Sequence, residues 1–161
     1  MLLTSHSGES KPITELWKSR RVVLIFLRQL GCRFCRRFIN DLKENKLVEK
    51  LSEHDVAVVC ISLGSREQAK QWMEITNWTG ELWVDTSTSG DVAAVSQTQS
   101  EPYATFRLGR GIDKLRLNDA EAQKVSESIK HLDMPELVDK DGFGHDGSVA
   151  IWPGDVFQVS N

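Results

Sequence analysis

The chain has 161 residues, 40% of them hydrophobic and 27% charged, with a net charge of −3 at pH 7. That length and apolar content suffice for one domain with its own core, without help from metals or cross-links. The acidic balance excludes nucleic acid as the main partner, because phosphate binding needs a concentrated excess of Lys and Arg.

The amino-terminal residues MLLTSHSGESKP have neither the basic start nor the apolar core of a secretory signal. Residues 1–11 are polar and are expected to be disordered, within a single domain spanning 1–161. Thr14 to Trp17 can begin a short helical turn. Val22 to Leu27 is aliphatic on both faces, as in a buried parallel strand. It is also the longest apolar run, far short of the ~18 residues of a membrane span. A cytoplasmic, reducing setting is therefore expected, where Cys-x-x-Cys serves redox or metal chemistry more often than stapling.

A helix is expected from near Cys32 to about Lys43, with Phe34, Phe38 and Leu42 recurring on one face. Leu47, Val48 and Leu51 extend that face after a kink. Val56 to Ser62 reads as a second buried strand. Ser65 and Gln68 have the spacing of a capping box, opening a helix through Trp72 and Ile75. Glu81 to Asp85 is a third strand. Strands alternating with helices predict an α/β domain with parallel pairing. Residues 86–101, rich in Ser, Thr and Gln, read as a long loop. Asn118 can cap a helix from Asp119 to Leu132. Ser148 to Trp152 and Val156 to Val159 flank Pro153-Gly154-Asp155, as in a hairpin.

Two of the three cysteines, Cys32 and Cys35, fall at the start of the helix after the first buried strand. Backbone N–H groups, the helix dipole and the guanidinium groups of Arg33, Arg36 and Arg28 all favour a thiolate at Cys32. A thiol pKa near 8.5 can fall to ~4–7 in such a place. Cys35 lies three residues on and shares the same helix face. The two Cα atoms are then ~5–6 Å apart, a separation a disulfide tolerates. Cys32 is expected to be the exposed nucleophile and Cys35 the more buried resolving thiol. Arg28 and Arg36 are the candidate thiolate stabilisers. A zinc site lacks support, because the chain has no second Cys-x-x-Cys and its four histidines, His6, His54, His131 and His145, are scattered. Cys60, inside an apolar strand, reads as core. Most of the five tryptophans are expected to be core as well.

Phe26-Leu27-Arg28-Gln29-Leu30-Gly31-Cys32-Arg33-Phe34-Cys35-Arg36 resembles the Phe-Leu-Arg-x-Phe-Gly-Cys-x-x-Cys-Arg segment of the peroxiredoxin-like AhpC/TSA antioxidant family, with Leu30 for the usual Phe. "GELWVD" (80–85) is similar to the family's Gly-Glu-Leu-Tyr-x-Asp. "YATFRLGRG" (103–111) is similar to its Tyr-x-x-Phe-Gly-Leu-x-Arg-Gly. True peroxiredoxins carry Pro-x-x-x-Thr/Ser-x-x-Cys, and this chain has Ile25 and Gln29 at those positions. The resemblance implies a thioredoxin-like fold: a central mixed sheet flanked by helices, here lacking the usual C-terminal helix. One sheet face would then be uncovered or covered in a homodimer. A cis-proline commonly faces the cysteines in such folds. Pro102 is one candidate, whereas the family comparison puts Gly147-Ser148 there.

The leading expectation is a thiol-disulfide oxidoreductase or peroxiredoxin-like reductase acting on a small peroxide or a protein disulfide. No cofactor is expected to be bound. The redox-active group is a Cys32–Cys35 disulfide, re-reduced by a dithiol partner such as thioredoxin with NADPH, or by glutathione. One alternative is a reductase of lipid endoperoxides, since the family includes prostaglandin F synthases. The other is a redox-inert or redox-sensing interaction domain.

Overall fold

The computed structural model describes residues 2–27, 29–86, 124–125, 127–132, 134 and 137, and the backbone of 156–159. Six strands form one sheet: β1 (Leu2–Ser5), β2 (Ser10–Pro12), β3 (Arg21–Phe26), β4 (Val56–Leu63), β5 (Glu81–Asp85) and β6 (Val156–Val159). Their order is β2-β1-β5-β4-β3-β6. The pairs β3–β4 and β4–β5 are parallel, and β1, β2 and β6 join them antiparallel. The helices are α1 (Arg33–Glu44), α2 (Leu47–Ser52) and α3 (Arg66–Thr76).

The sheet is thus mixed, as expected, and the amino terminus corrects the sequence reading. The polar segment expected to be disordered forms β1, β2 and the turn between them. Ser5 makes that turn: its N–H donates to the Glu9 carbonyl at 2.8 Å, and its Oγ accepts from the Glu9 N–H at 3.0 Å. Arg66 donates to the Ser7 carbonyl from the start of α3. Pro12 is tolerated because β2 lies at the sheet edge, where a missing N–H costs no ladder bond.

Alternation along the strands builds two cores. Val22, Leu24, Phe26, Val59, Ile61 and Trp83 point to one face, with Leu3, Ile13 and Leu16. Ile25, Val58, Cys60, Leu82 and Val84 point to the other, where they meet Cys35, Ile39, Ala69 and Trp72 of α1 and α3. Every residue just named is buried. Each fully buried aliphatic or aromatic side chain contributes about 1.5–3 kcal/mol. A one-residue slip of β4 would exchange its two faces, so the register Ile25↔Cys60 is strongly specified. The buried state of both faces overturns the expectation of an uncovered one.

α1 is broken from α2 at Lys46, which sits in the left-handed region at φ 52°. The buried line of α1 runs through Cys35 and Ile39, while Phe34, Phe38 and Leu42 flank it half-buried. The Ser65–Gln68 capping box forms in full at the start of α3. Val156–Val159 pairs with β3, whereas the other arm of the expected hairpin lies outside the described residues. The same is true of residues 87–101 in the expected long loop, of Pro102 and of Gly147-Ser148. Lys124, Val125, Glu127 and Ser128 are helical, in line with the helix expected to end at Leu132, and Lys130–Leu132 forms a 3-10 turn.

Candidate redox site

The parallel strands β3, β4 and β5 deliver their carboxyl ends to one edge of the sheet. Cys32 stands just past the end of β3, as the N-cap of α1 with φ −73° and ψ 118°. The Leu27 N–H donates to the Ile61 carbonyl at 2.7 Å, which fixes the exit of the chain from the sheet. The Cys32 N–H then donates to Gln29 at 3.2 Å, and the Cys32 carbonyl accepts from Arg36 at 3.0 Å as the first helical bond.

Gly64, between β4 and α3, shapes the other side of this turn. Its φ of +147° is one that side chains with a Cβ rarely adopt. A Cβ there would stand 3.2 Å from Leu30 Cδ1 and 3.0 Å from Gln68 Oε1. The missing side chain lets the Leu30-Gly31 turn pack against the start of α3.

The two ends of α1 and α3 contrast. α3 has a Ser cap, a reciprocal Gln68 side chain and Glu67 in its first turn. α1 has no side-chain cap bond and no acidic residue in its first turn. Its positive end is met by the cysteine pair and by Arg33 and Arg36. A thiolate at Cys32 would supply the negative charge that helix starts ordinarily take from Asp or Glu.

Both cysteines are buried, Cys32 at 5% and Cys35 at 2% exposure. Cys32 was expected to be exposed; the same apolar cluster that holds Cys35 also encloses it. Cys32, Cys35 and Cys60 are all thiols in this structure. Cys60 is wholly buried in the central strand, and burial pushes its thiol well above the ordinary value. It is core, as read from the sequence.

The candidate arginines fare differently. Arg28 lies outside the described residues. The Arg36 Nη1 donates to the Leu132 carbonyl at 3.3 Å, a partner 96 residues away. Arg37 pairs with Asp41 at 2.9 Å on the exposed side of α1. Sequence reasoning missed the Leu132 contact, for which no local signal exists. It also read Asp85 only as a strand end. Asp85 is buried at the same carboxyl edge as Cys32, and an acid closing an apolar strand is the signal that marks it.

No group of three or more His, Cys, Asp or Glu side chains among the described residues could hold a metal. No helix among them is long and apolar enough to cross a membrane. A cleft of about 540 Å³ lies away from the pair, lined by His6, Lys11, Arg20, Glu81 and Trp83 among others. Its charges are matched internally. Arg20 binds both carboxylate oxygens of Glu81, and Trp83 Nε1 donates to the same carboxylate at 3.0 Å.

A mixed sheet with a Cys-x-x-Cys at the start of the helix after a central strand defines a thioredoxin-like α/β protein. The fold is shared with peroxidoxin BcpB from Mycobacterium tuberculosis, at a TM-score of 0.52 and 20% identity over 70% of this chain and 64% of that one. Residues 2–106 match the AhpC/TSA family, and the chain belongs to it. It is 41% identical over 78 residues to the chloroplastic thioredoxin-like protein AAED1 of Arabidopsis thaliana, covering 48% of this chain and 31% of that protein. It is 38% identical over 85 residues to the prostamide/prostaglandin F synthase of Salmo salar, covering 52% and 40%. The matched stretches thus take in well under half of either relative.

Proposed function

We infer that this chain is a thiol-dependent oxidoreductase in which Cys32 is the nucleophile and Cys35 the resolving thiol. The observation that carries this reading is the start of α1. Cys32 occupies the N-cap, no acid competes for the dipole, and Cys35 stands on the adjoining turn. Membership of the AhpC/TSA family supports the same chemistry.

With a peroxide, the Cys32 thiolate attacks the O–O bond, takes one oxygen as a sulfenic acid and releases water or an alcohol after proton transfer. The Cys35 sulfur then attacks the Cys32 sulfur, forms the disulfide and releases water. With a protein disulfide, Cys32 forms a mixed disulfide that Cys35 resolves. In both cases an external dithiol such as thioredoxin, or glutathione, returns two electrons and two protons. The redox group is the Cys32–Cys35 pair itself, with no bound cofactor in the scheme. Arg28 is retained in this proposal as a thiolate-stabilising charge.

The lipid-endoperoxide alternative draws on the name of the salmon relative and on the apolar surroundings of the pair. The interaction-domain alternative loses material, because Trp72, Trp78 and Trp83 are buried in the cores.

The deciding experiment measures the Cys32 thiolate pKa and the product after one equivalent of hydrogen peroxide by intact mass. A pKa below about 7 and a loss of two hydrogens mapped to Cys32–Cys35 support the enzyme. A pKa near 8.5 with no bridge overturns it.

A further inference from the structure

Arg36 sits beside Cys35 and one turn beyond Cys32, yet its guanidinium donates to the Leu132 carbonyl. Gln68 on α3 does the same farther on, its Nε2 donating to the Leu137 carbonyl at 3.4 Å. At these anchors the Leu132 N–H donates to the Ile129 carbonyl and the Leu137 N–H to the Met134 carbonyl, both at 2.9 Å. Ile129, Leu132, Met134 and Leu137 are all buried, and Met134 and Leu137 belong to the same cluster as Cys32 and Cys35. Two side chains from two helices therefore hold a distant part of the chain against the core that encloses the thiols.

We propose that Arg36 and Gln68 are positioning residues that keep Leu132, Met134 and Leu137 seated against the core that encloses the cysteine pair, and that release of these anchors admits the reactant to Cys32. The inference rests on the redox reading for its purpose, but its test does not. A buried thiol reacts only through opening, and when closing is fast the rate tracks the open population. Each anchor sits in a carbonyl hydrogen bond whose net contribution is modest, so its loss shifts opening by about three- to tenfold.

The substitutions are Arg36→Met, which keeps the apolar stem, and Gln68→Glu. The latter keeps an oxygen that can accept from the Ser65 N–H in the capping box, and puts a carboxylate oxygen where the donor to Leu137 stood. Iodoacetamide alkylation of the fully reduced protein is followed by mass at each cysteine across pH. Cys60, wholly buried in β4, reports global unfolding in the same tube.

The expected result is about a three- to tenfold faster alkylation of Cys32 in both variants, an unchanged midpoint of its pH profile and no gain at Cys60. Arg36→Lys should restore much of the protection. If Arg36 instead acts by stabilising the thiolate, Arg36→Met raises the midpoint and slows alkylation near neutral pH, which overturns the proposal. Unchanged Cys32 rates in both variants, or a parallel rise at Cys60, also overturn it. Since alkylation needs no turnover, a chain that fails to form the disulfide with peroxide would sink the redox reading while leaving this outcome readable.

Discussion

Cys32 caps α1 and Cys35 lies in its first turn, so one helix start carries both thiols, one at the N-cap and one within the helix, inside the same apolar cluster. This relationship divides their roles. Cys32→Ser should abolish thiol-dependent turnover, because a serine hydroxyl is not ionised there. Cys35→Ser should leave the first attack intact and accumulate a mixed disulfide or a sulfenic acid at Cys32, read as a mass adduct. Normal turnover in the Cys32→Ser protein would remove the assignment.

Cys60 shares the core with the pair but lies on the central strand, wholly buried. Cys60→Ala should leave disulfide formation at Cys32–Cys35 unchanged. Cys60→Ser should cost about 1–3 kcal/mol in denaturant unfolding if its hydroxyl is buried without a partner. A loss of the peroxide-induced bridge in Cys60→Ala would show that this thiol takes part.

Gly64 lets the Leu30-Gly31 turn approach α3. Gly64→Ala should destabilise the fold by about 1–2 kcal/mol, since φ of +147° strains a residue with a Cβ and both near neighbours must shift. It should also change the Cys32 thiolate pKa, because Leu30 stands two residues before it. Chemical denaturation together with thiol titration would check both effects.

The Arg20–Glu81 pair ties the segment before β3 to the start of β5. Burial would push the Glu81 carboxyl up, but hydrogen bonds from Arg20 and Trp83 and the charges of Arg20 and Lys11 outweigh it and hold the carboxyl below its ordinary value. The carboxylate's contribution is therefore complete above the ordinary value of 4.5 and is lost as pH falls below it through the lowered folded value. Both side chains are more than a third exposed, so solvent screening keeps the contribution to about 0.5–1 kcal/mol. Glu81→Gln should lower stability at pH 7 by that amount and flatten the acid limb of the stability profile.

The boundaries of β3, β4, β5, α1 and α3 were legible in the sequence because each depends on local information. They follow from apolar runs, a capping box and breaks between elements. The position of Cys32 at a helix start was legible for the same reason. β1 and β2 were not, because MLLTSHSGESKP has too little apolar pattern to announce strands. It is tied into the sheet by pairing Thr4 and Ser5 with Val84 and Trp83, far away in the chain.

By itself, then, the sequence determined an α/β chain with a thiol pair beside a helix dipole, since spacing and periodicity are local properties. Tertiary structure alone decided that Cys32 is enclosed rather than exposed, that both sheet faces are covered, and that Arg36 reaches Leu132. Those outcomes depend on contacts between residues far apart in the chain, and packing a core settles them without leaving a periodic mark in the sequence.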